Sequence, residues 1–130
     1  MPDPRVRSVA LVSVVDDDAS VRRALRRLIQ QAGFEVQTFA SGAEALAENP
    51  ARPAACLVVD VYLGDMTGFE LQRVLAERGV NVPTIFITAH DDAATTEAAR
   101  RARVFAYLHK PIDGDSLLGA ISDAVATHPN

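Results

Sequence analysis

Five short apolar runs, each followed by a segment of helical period, constrain this chain more than any other feature. Residues 8–15, 34–39, the run ending at 57–60, 83–88 and 104–108 read as strands. Residues 19–32, a segment opening at 41–44 and ending before Pro50, and residues 69–78, 93–102 and 117–126 read as helices. Val21, Leu25, Leu28, Ile29 and Ala32 fall on one helix face, and Gly33 and Gly79 stand where helices stop. Ser41-Gly42-Ala43-Glu44 has the form of a capping box. Strict alternation of this kind predicts an α/β fold, a doubly wound parallel sheet of five strands covered on both faces.

At 130 residues the chain is one domain, with a core at about 8–127 and short flexible ends at 1–7 and 128–130. A net charge of −4 argues against direct binding of nucleic acid, and no apolar run is long enough to span a membrane. Met1-Pro2-Asp3-Pro4-Arg5 lacks the apolar stretch of a secretory leader. Cys56 stands alone in an apolar run, which reads as a buried free thiol in a reducing compartment. The expected location is the cytoplasm.

In open parallel sheets, ligands bind beyond the carboxyl ends of the strands, where the strand order reverses. Here Asp16-Asp17-Asp18 follow the first strand, Asp60 ends the third, Thr88 ends the fourth, and Lys110-Pro111 follow the fifth. If the first and third strands are neighbours, these residues converge. Composition sharpens the point. The 17 anions are 11 aspartates and 6 glutamates, and the 13 cations are 12 arginines and the single Lys110.

Carboxylates held together repel and raise one another's pKa, which a hard divalent cation such as Mg²⁺ or Mn²⁺ relieves. A lysine ammonium meets phosphate oxygens as a point charge, and a threonine hydroxyl adds a hydrogen bond. A carboxylate can itself be the nucleophile, giving an acyl phosphate. Those are the parts that phosphoryl transfer onto an aspartate needs.

The segments Val14-Val15-Asp16-Asp17-Asp18, Val59-Asp60-Val61-Tyr62-Leu63 with Gly68, Ile87-Thr88-Ala89 and Tyr107-Leu108-His109-Lys110-Pro111 resemble the receiver domain of two-component response regulators. The resemblance runs from about residue 9 to 125, and the wording at 21–29 and 87–92 is similar to the FixJ-like subgroup. It implies a flavodoxin-like strand order, 2-1-3-4-5. It implies that Asp60 is the phosphoacceptor and that Asp17, Asp60 and the Tyr62 backbone carbonyl bind the metal, with Asp16 acting through water. Thr88 and Lys110 would bind the phosphoryl group, Thr88 and Tyr107 would switch, and Pro111 would follow a cis bond. Tyr62 and His90 would flank the path of the hydrolytic water.

The implied partner is a histidine kinase or histidine phosphotransfer protein. A homodimer would form through the face of the fourth helix, fifth strand and fifth helix. The implied activity is a switch that catalyses only its own phosphorylation and dephosphorylation. Competing readings are a Mg²⁺-dependent phosphohydrolase, which would want an aspartate where Tyr62 stands, and an FMN binder, whose phosphate three aspartates would repel. A third is a degenerate receiver acting as a constitutive interaction module. The chain reads either as a stand-alone receiver or as a piece of a longer regulator.

Three departures from the family pattern carry expectations. Leu63-Gly64 replaces Met-Pro after the acceptor, which predicts a mobile loop. Arg103 replaces a glycine after the fourth helix, and Thr95 and Thr96 lie inside it, which predicts a weakly held helix. Bulk at Tyr62 predicts slow autodephosphorylation. Arg22, Arg23, Arg26 and Arg27 lie off the apolar face of the first helix and read as a solvated face or a kinase-docking face.

Overall fold

A computed structural model describes residues 9–48, 54–89 and 92–127. Strands and helices alternate throughout: β1 (Leu11–Val15), α1 (Ala19–Gln31), β2 (Glu35–Phe39), α2 (Gly42–Glu48), β3 (Cys56–Asp60), α3 (Gly68–Glu77), β4 (Thr84–Thr88), α4 (Ala93–Arg101), β5 (Ala106–His109) and α5 (Gly114–Thr127). All strand pairs are parallel, in the order β2-β1-β3-β4-β5. Each crossover therefore carries a helix back across one face of the sheet.

Period-two alternation sorts the apolar residues into two layers. Val12 and Val14 of β1 join Val58, Ile85 and Ile87 under α1 and α5, where Leu25, Ile29, Leu117 and Ile121 close the layer. Val15 points the other way and joins Leu57, Val59 and Phe86 against Leu71 and Leu75 of α3. β3 and β4 are buried at every position, while β5 at the edge is only half covered. Burying a side chain such as Ile29 or Phe86 contributes about 1.5–3 kcal/mol before entropy is charged against it.

Local chemistry sets the helix ends. The Asp18 carboxylate accepts the N–H groups of Ser20 and Val21, which opens α1. Thr67 and Glu70 form a reciprocal capping box at α3. Gly33 and Gly79 turn the chain at φ 99° and φ 80°. The capping box expected at α2 is only half made. Ser41 accepts the Glu44 N–H, but the Glu44 carboxylate takes the N–H of Ala40. The Asp65 carboxylate, from another loop, takes those of Gly42 and Ala43.

α5 begins at Gly114, a turn earlier than the apolar pattern starts, because Asp113 accepts the Ser116 N–H. α4 leaves through an extended Ala102 (φ −87°, ψ 161°) rather than a glycine-type turn at that residue. The Gln72 side-chain amide then clasps both backbone groups of Arg103. The expectations for residues 1–7, 128–130, the start of the first strand at Ser8 and the stop at Pro50 lie outside the described residues.

Register decides what meets at the carboxyl rim. Val15 pairs with Val59, so Asp16 and Asp60 emerge side by side from adjacent strands. Thr88 pairs with His109, which sets Lys110 beside the end of β4.

Candidate functional site

Asp16, Asp17 and Asp60 each offer a carboxylate oxygen within 4.8 Å of the others. Asp16 is fully buried, Asp60 is 6% exposed and Asp17 faces solvent. Lys110 enters from the opposite side. Its Nζ lies 2.7 Å from Asp60 Oδ2 and 3.1 Å from Asp16 Oδ2. Its backbone N–H donates to the Thr88 carbonyl at 2.8 Å, and the Lys110–Pro111 peptide is cis, as expected.

The remaining oxygens are also held. Asp60 Oδ1 accepts the Tyr62 N–H at 3.0 Å, and Asp16 Oδ1 accepts the Asp18 N–H at 2.9 Å. The Arg22 guanidinium donates to the Asp16 carbonyl at 2.7 Å. Arg22 thus supports the first acidic turn, a contact that its place in an arginine-rich helix face did not reveal.

Electrostatics follow from this packing. Burial pushes the Asp16 carboxyl above its ordinary value, and the neighbouring Asp60 charge adds to the rise. The Asp18 N–H and Lys110 oppose it without cancelling it. Burial alone would lower the Lys110 pKa, but its bonds to Asp60 and Asp16 carry it above the ordinary lysine value. The pocket therefore holds its ammonium charge firmly and its deepest carboxylate charge reluctantly.

The structure places the other candidates as follows. Thr88 is fully buried at the end of β4. The Tyr107 ring packs against the second apolar layer and meets His109 edge-on, with centroids 5.3 Å apart. Tyr62 sits beside Asp60 through its backbone, but its phenol reaches across to α4 and lies 2.7 Å from Thr95 Oγ1. His90 lies outside the described residues.

Two of the departures from the family pattern have local contacts of their own. Gly64 has φ +86°, a conformation that proline, fixed near −65°, cannot adopt. Glycine here fits a left-handed turn. That loop is also tied down, since Leu63 donates to the Met66 carbonyl and Asp65 caps α2. Thr95 is held by contacts as well. It is 2% exposed, its N–H donates to Asp92 at 2.7 Å, and its hydroxyl meets Tyr62. No short-range pattern could have announced that tertiary contact.

Gly68 has a steric role. A Cβ there would come within 2.5 Å of the Asp60 carbonyl oxygen and 2.8 Å of Val59. Only glycine lets α3 start so close under the strand that carries Asp60.

Three hard oxygen donors of low mutual separation, one of them open to solvent, fit a divalent cation of the Mg²⁺ type. A cavity of about 920 Å³ between α3 and α4, lined by Phe69, Gln72, Leu75, Ala98 and Val104 among others, includes none of the three aspartates. None of the described helices is long and apolar enough to cross a membrane.

Comparison with known proteins agrees with this arrangement. The family model described as response regulator receiver domain matches residues 12–122. The transcriptional regulatory protein TdiR of Thauera aromatica is 35% identical over 126 residues, which covers 97% of this chain and 56% of TdiR. Nodulation protein W of Bradyrhizobium diazoefficiens is 38% identical over 112 residues, covering 86% of this chain and 49% of that protein. The chain thus spans about half the length of these relatives. Among solved structures, response regulator StyR superposes with a TM-score of 0.84 at 39% identity, over 93% of this chain and 61% of StyR. The BeF3-activated DrrB receiver domain superposes with a TM-score of 0.81 at 27% identity, over 92% and 99%.

Proposed function

The chain belongs to the response regulator receiver domain family, and from that premise we propose that it is a phosphorylation switch with Asp60 as its acceptor. The observation that carries the reading is the double contact of Lys110, 2.7 Å from Asp60 and 3.1 Å from Asp16. It puts the one lysine of the chain where a phosphoryl group on Asp60 would develop charge.

The donor is a phosphohistidine on a histidine kinase or phosphotransfer protein. A carboxylate oxygen of Asp60 attacks phosphorus, the P–N bond breaks, and its electron pair leaves with the imidazole. Lys110 pairs with a phosphoryl oxygen and offsets its charge. Thr88, at the adjacent strand end, supplies a hydroxyl to another oxygen. Asp17, Asp60 and the Tyr62 carbonyl would hold a Mg²⁺ or Mn²⁺ ion, with Asp16 reached through water. When bound, the ion neutralises phosphoryl charge during transfer.

Phosphorylated Asp60 draws Thr88 and Lys110 toward new acceptor oxygens, and the half-buried Tyr107 follows into the space left behind. The altered surface is that of α4, β5 and α5, which partners or a second copy would read. Two of the relatives above are named as a transcriptional regulatory protein and a response regulator, which supports a signalling role for this chain.

The test uses a small phosphodonor such as phosphoramidate with Mg²⁺. The native protein should take up one phosphoryl group, and Asp60→Asn none. Repeated turnover of phosphate esters would instead mark a phosphohydrolase.

A further inference from the structure

We propose that Thr95 is a positioning residue for the phosphoryl group on Asp60, holding the Tyr62 phenol as a screen against hydrolytic water. The proposal rests on Asp60 being the acceptor, and it makes the lifetime of the acyl phosphate depend on a side chain of α4.

Tyr62 is attached at both ends. Its backbone N–H donates to Asp60 Oδ1 at 3.0 Å, and its hydroxyl lies 2.7 Å from Thr95 Oγ1. Thr95 is itself fixed, because Asp92 Oδ1 accepts its N–H at 2.7 Å and the side chain is 2% exposed. It is the buried residue of an otherwise open helix. β3 and β4 are neighbours, and α4 follows β4. The phenol therefore runs from the end of β3 past the end of β4, where Thr88 lies. Tyr62 is 39% exposed, so a phenol released from Thr95 would share its positions with water.

Hydrolysis needs a water oxygen in line with the P–O bond to Asp60. The water oxygen bonds to phosphorus, and the bond to Asp60 breaks with its electron pair returning to the carboxylate. A proton goes to solvent, and inorganic phosphate leaves. A ring fixed across the β4 side of the site narrows that approach, and a ring free to swing does not. A partner that shifts α4 would loosen the screen and shorten the signal.

The experiment measures the half-life of the phosphorylated full chain, labelled with phosphoramidate and Mg²⁺ and then freed of donor. It compares the native protein with Thr95→Val, Thr95→Ser, Tyr62→Phe and the double variant Tyr62→Phe/Thr95→Val. Thr95→Val and Tyr62→Phe should each shorten the half-life by roughly three- to tenfold, the occupancy change that follows loss of one ordinary hydrogen bond. The double variant should be no shorter-lived than either single, and Thr95→Ser should behave as native.

An unchanged half-life in Thr95→Val would overturn the proposal. So would an equal shortening by Thr95→Val in the native and Tyr62→Phe backgrounds, because that would mark Thr95 as merely structural. Should Thr95→Val fail to fold, Tyr62→Phe removes the same bond from the exposed side, and a native half-life there is equally fatal. If the native chain takes up no phosphoryl group at all, the acceptor reading falls together with this one. Normal uptake with unaltered half-lives sinks only the role of Thr95.

Discussion

Lys110 Nζ bridges Asp16 Oδ2 and Asp60 Oδ2, at 3.1 and 2.7 Å, so one ammonium holds two buried carboxylates from neighbouring strands. Removing it leaves both without an ion-pair partner among the described residues. Lys110→Ala should destabilise the metal-free protein by about 2–4 kcal/mol at neutral pH, since an abandoned buried charge costs more than the pair contributes. Urea unfolding measures it.

The penalty should depend on pH. The Asp16 carboxyl already has a raised pKa in the folded state. Between its ordinary value of 3.8 and that raised value, the folded protein binds more protons than the unfolded chain, so stability grows as pH falls. Without Lys110 the folded pKa rises further, and the cost of Lys110→Ala should shrink on acidification. At the other end, the Lys110 pKa is raised in the folded state. Its contribution is full below the ordinary value of 10.5 and is lost as pH rises through the folded value. A penalty that grew toward low pH would contradict this.

Asp17 is the exposed member of the acidic cluster. Asp17→Asn relieves repulsion without uncovering a buried partner. In chelator it should raise the melting temperature by about 2–4 °C, a gain of the order of 1 kcal/mol. Added Mg²⁺ should stabilise the native protein by mass action and leave this variant unmoved. A lower melting temperature in chelator would mean the cluster is not under charge strain.

Gly64 is the position where a proline would restore the commoner family wording. With φ at +86°, Gly64→Pro should destabilise by more than about 1 kcal/mol, and Gly64→Ala by about 1–2 kcal/mol. Stabilisation by proline, seen in the same urea titration, would refute the left-handed turn.

Asp65 links the loop after Asp60 to α2 by accepting the N–H groups of Gly42 and Ala43, and those bonds hold its pKa below 3.8. Asp65→Ala should cost about 0.5–1 kcal/mol, the low end for a cap because the carboxylate is open to solvent. A depressed folded pKa contributes stability above the unfolded value, and that stability is lost as pH falls through the folded one. The difference between Asp65→Ala and native should therefore vanish in strong acid. Thermal melts at neutral and acid pH decide it.

Much of this architecture was legible in the sequence because it is local. The i, i+3, i+4 spacing of α1 and the stops at Gly33 and Gly79 depend on neighbours in the chain. The convergence of Asp16, Asp60, Thr88 and Lys110 was legible because a parallel sheet sends every strand end to one rim. The contacts of Tyr62 with Thr95, Arg22 with the Asp16 carbonyl and Asp65 with α2 were not. Each joins elements whose separation is set by packing, and no periodicity encodes it. The surroundings of the α4 threonines were hidden for the same reason. Their helix propensity is poor, and it says nothing of the burial and the partner that Thr95 finds.

The most direct measurement is chemical identification of the acceptor. The protein is phosphorylated with phosphoramidate and Mg²⁺, reduced with borohydride to trap any acyl phosphate, and digested for peptide mass spectrometry. The structure predicts a single reduced residue, homoserine in place of Asp60, with Asp16 and Asp17 intact. Phosphate on another residue, or none on the native chain, would contradict it.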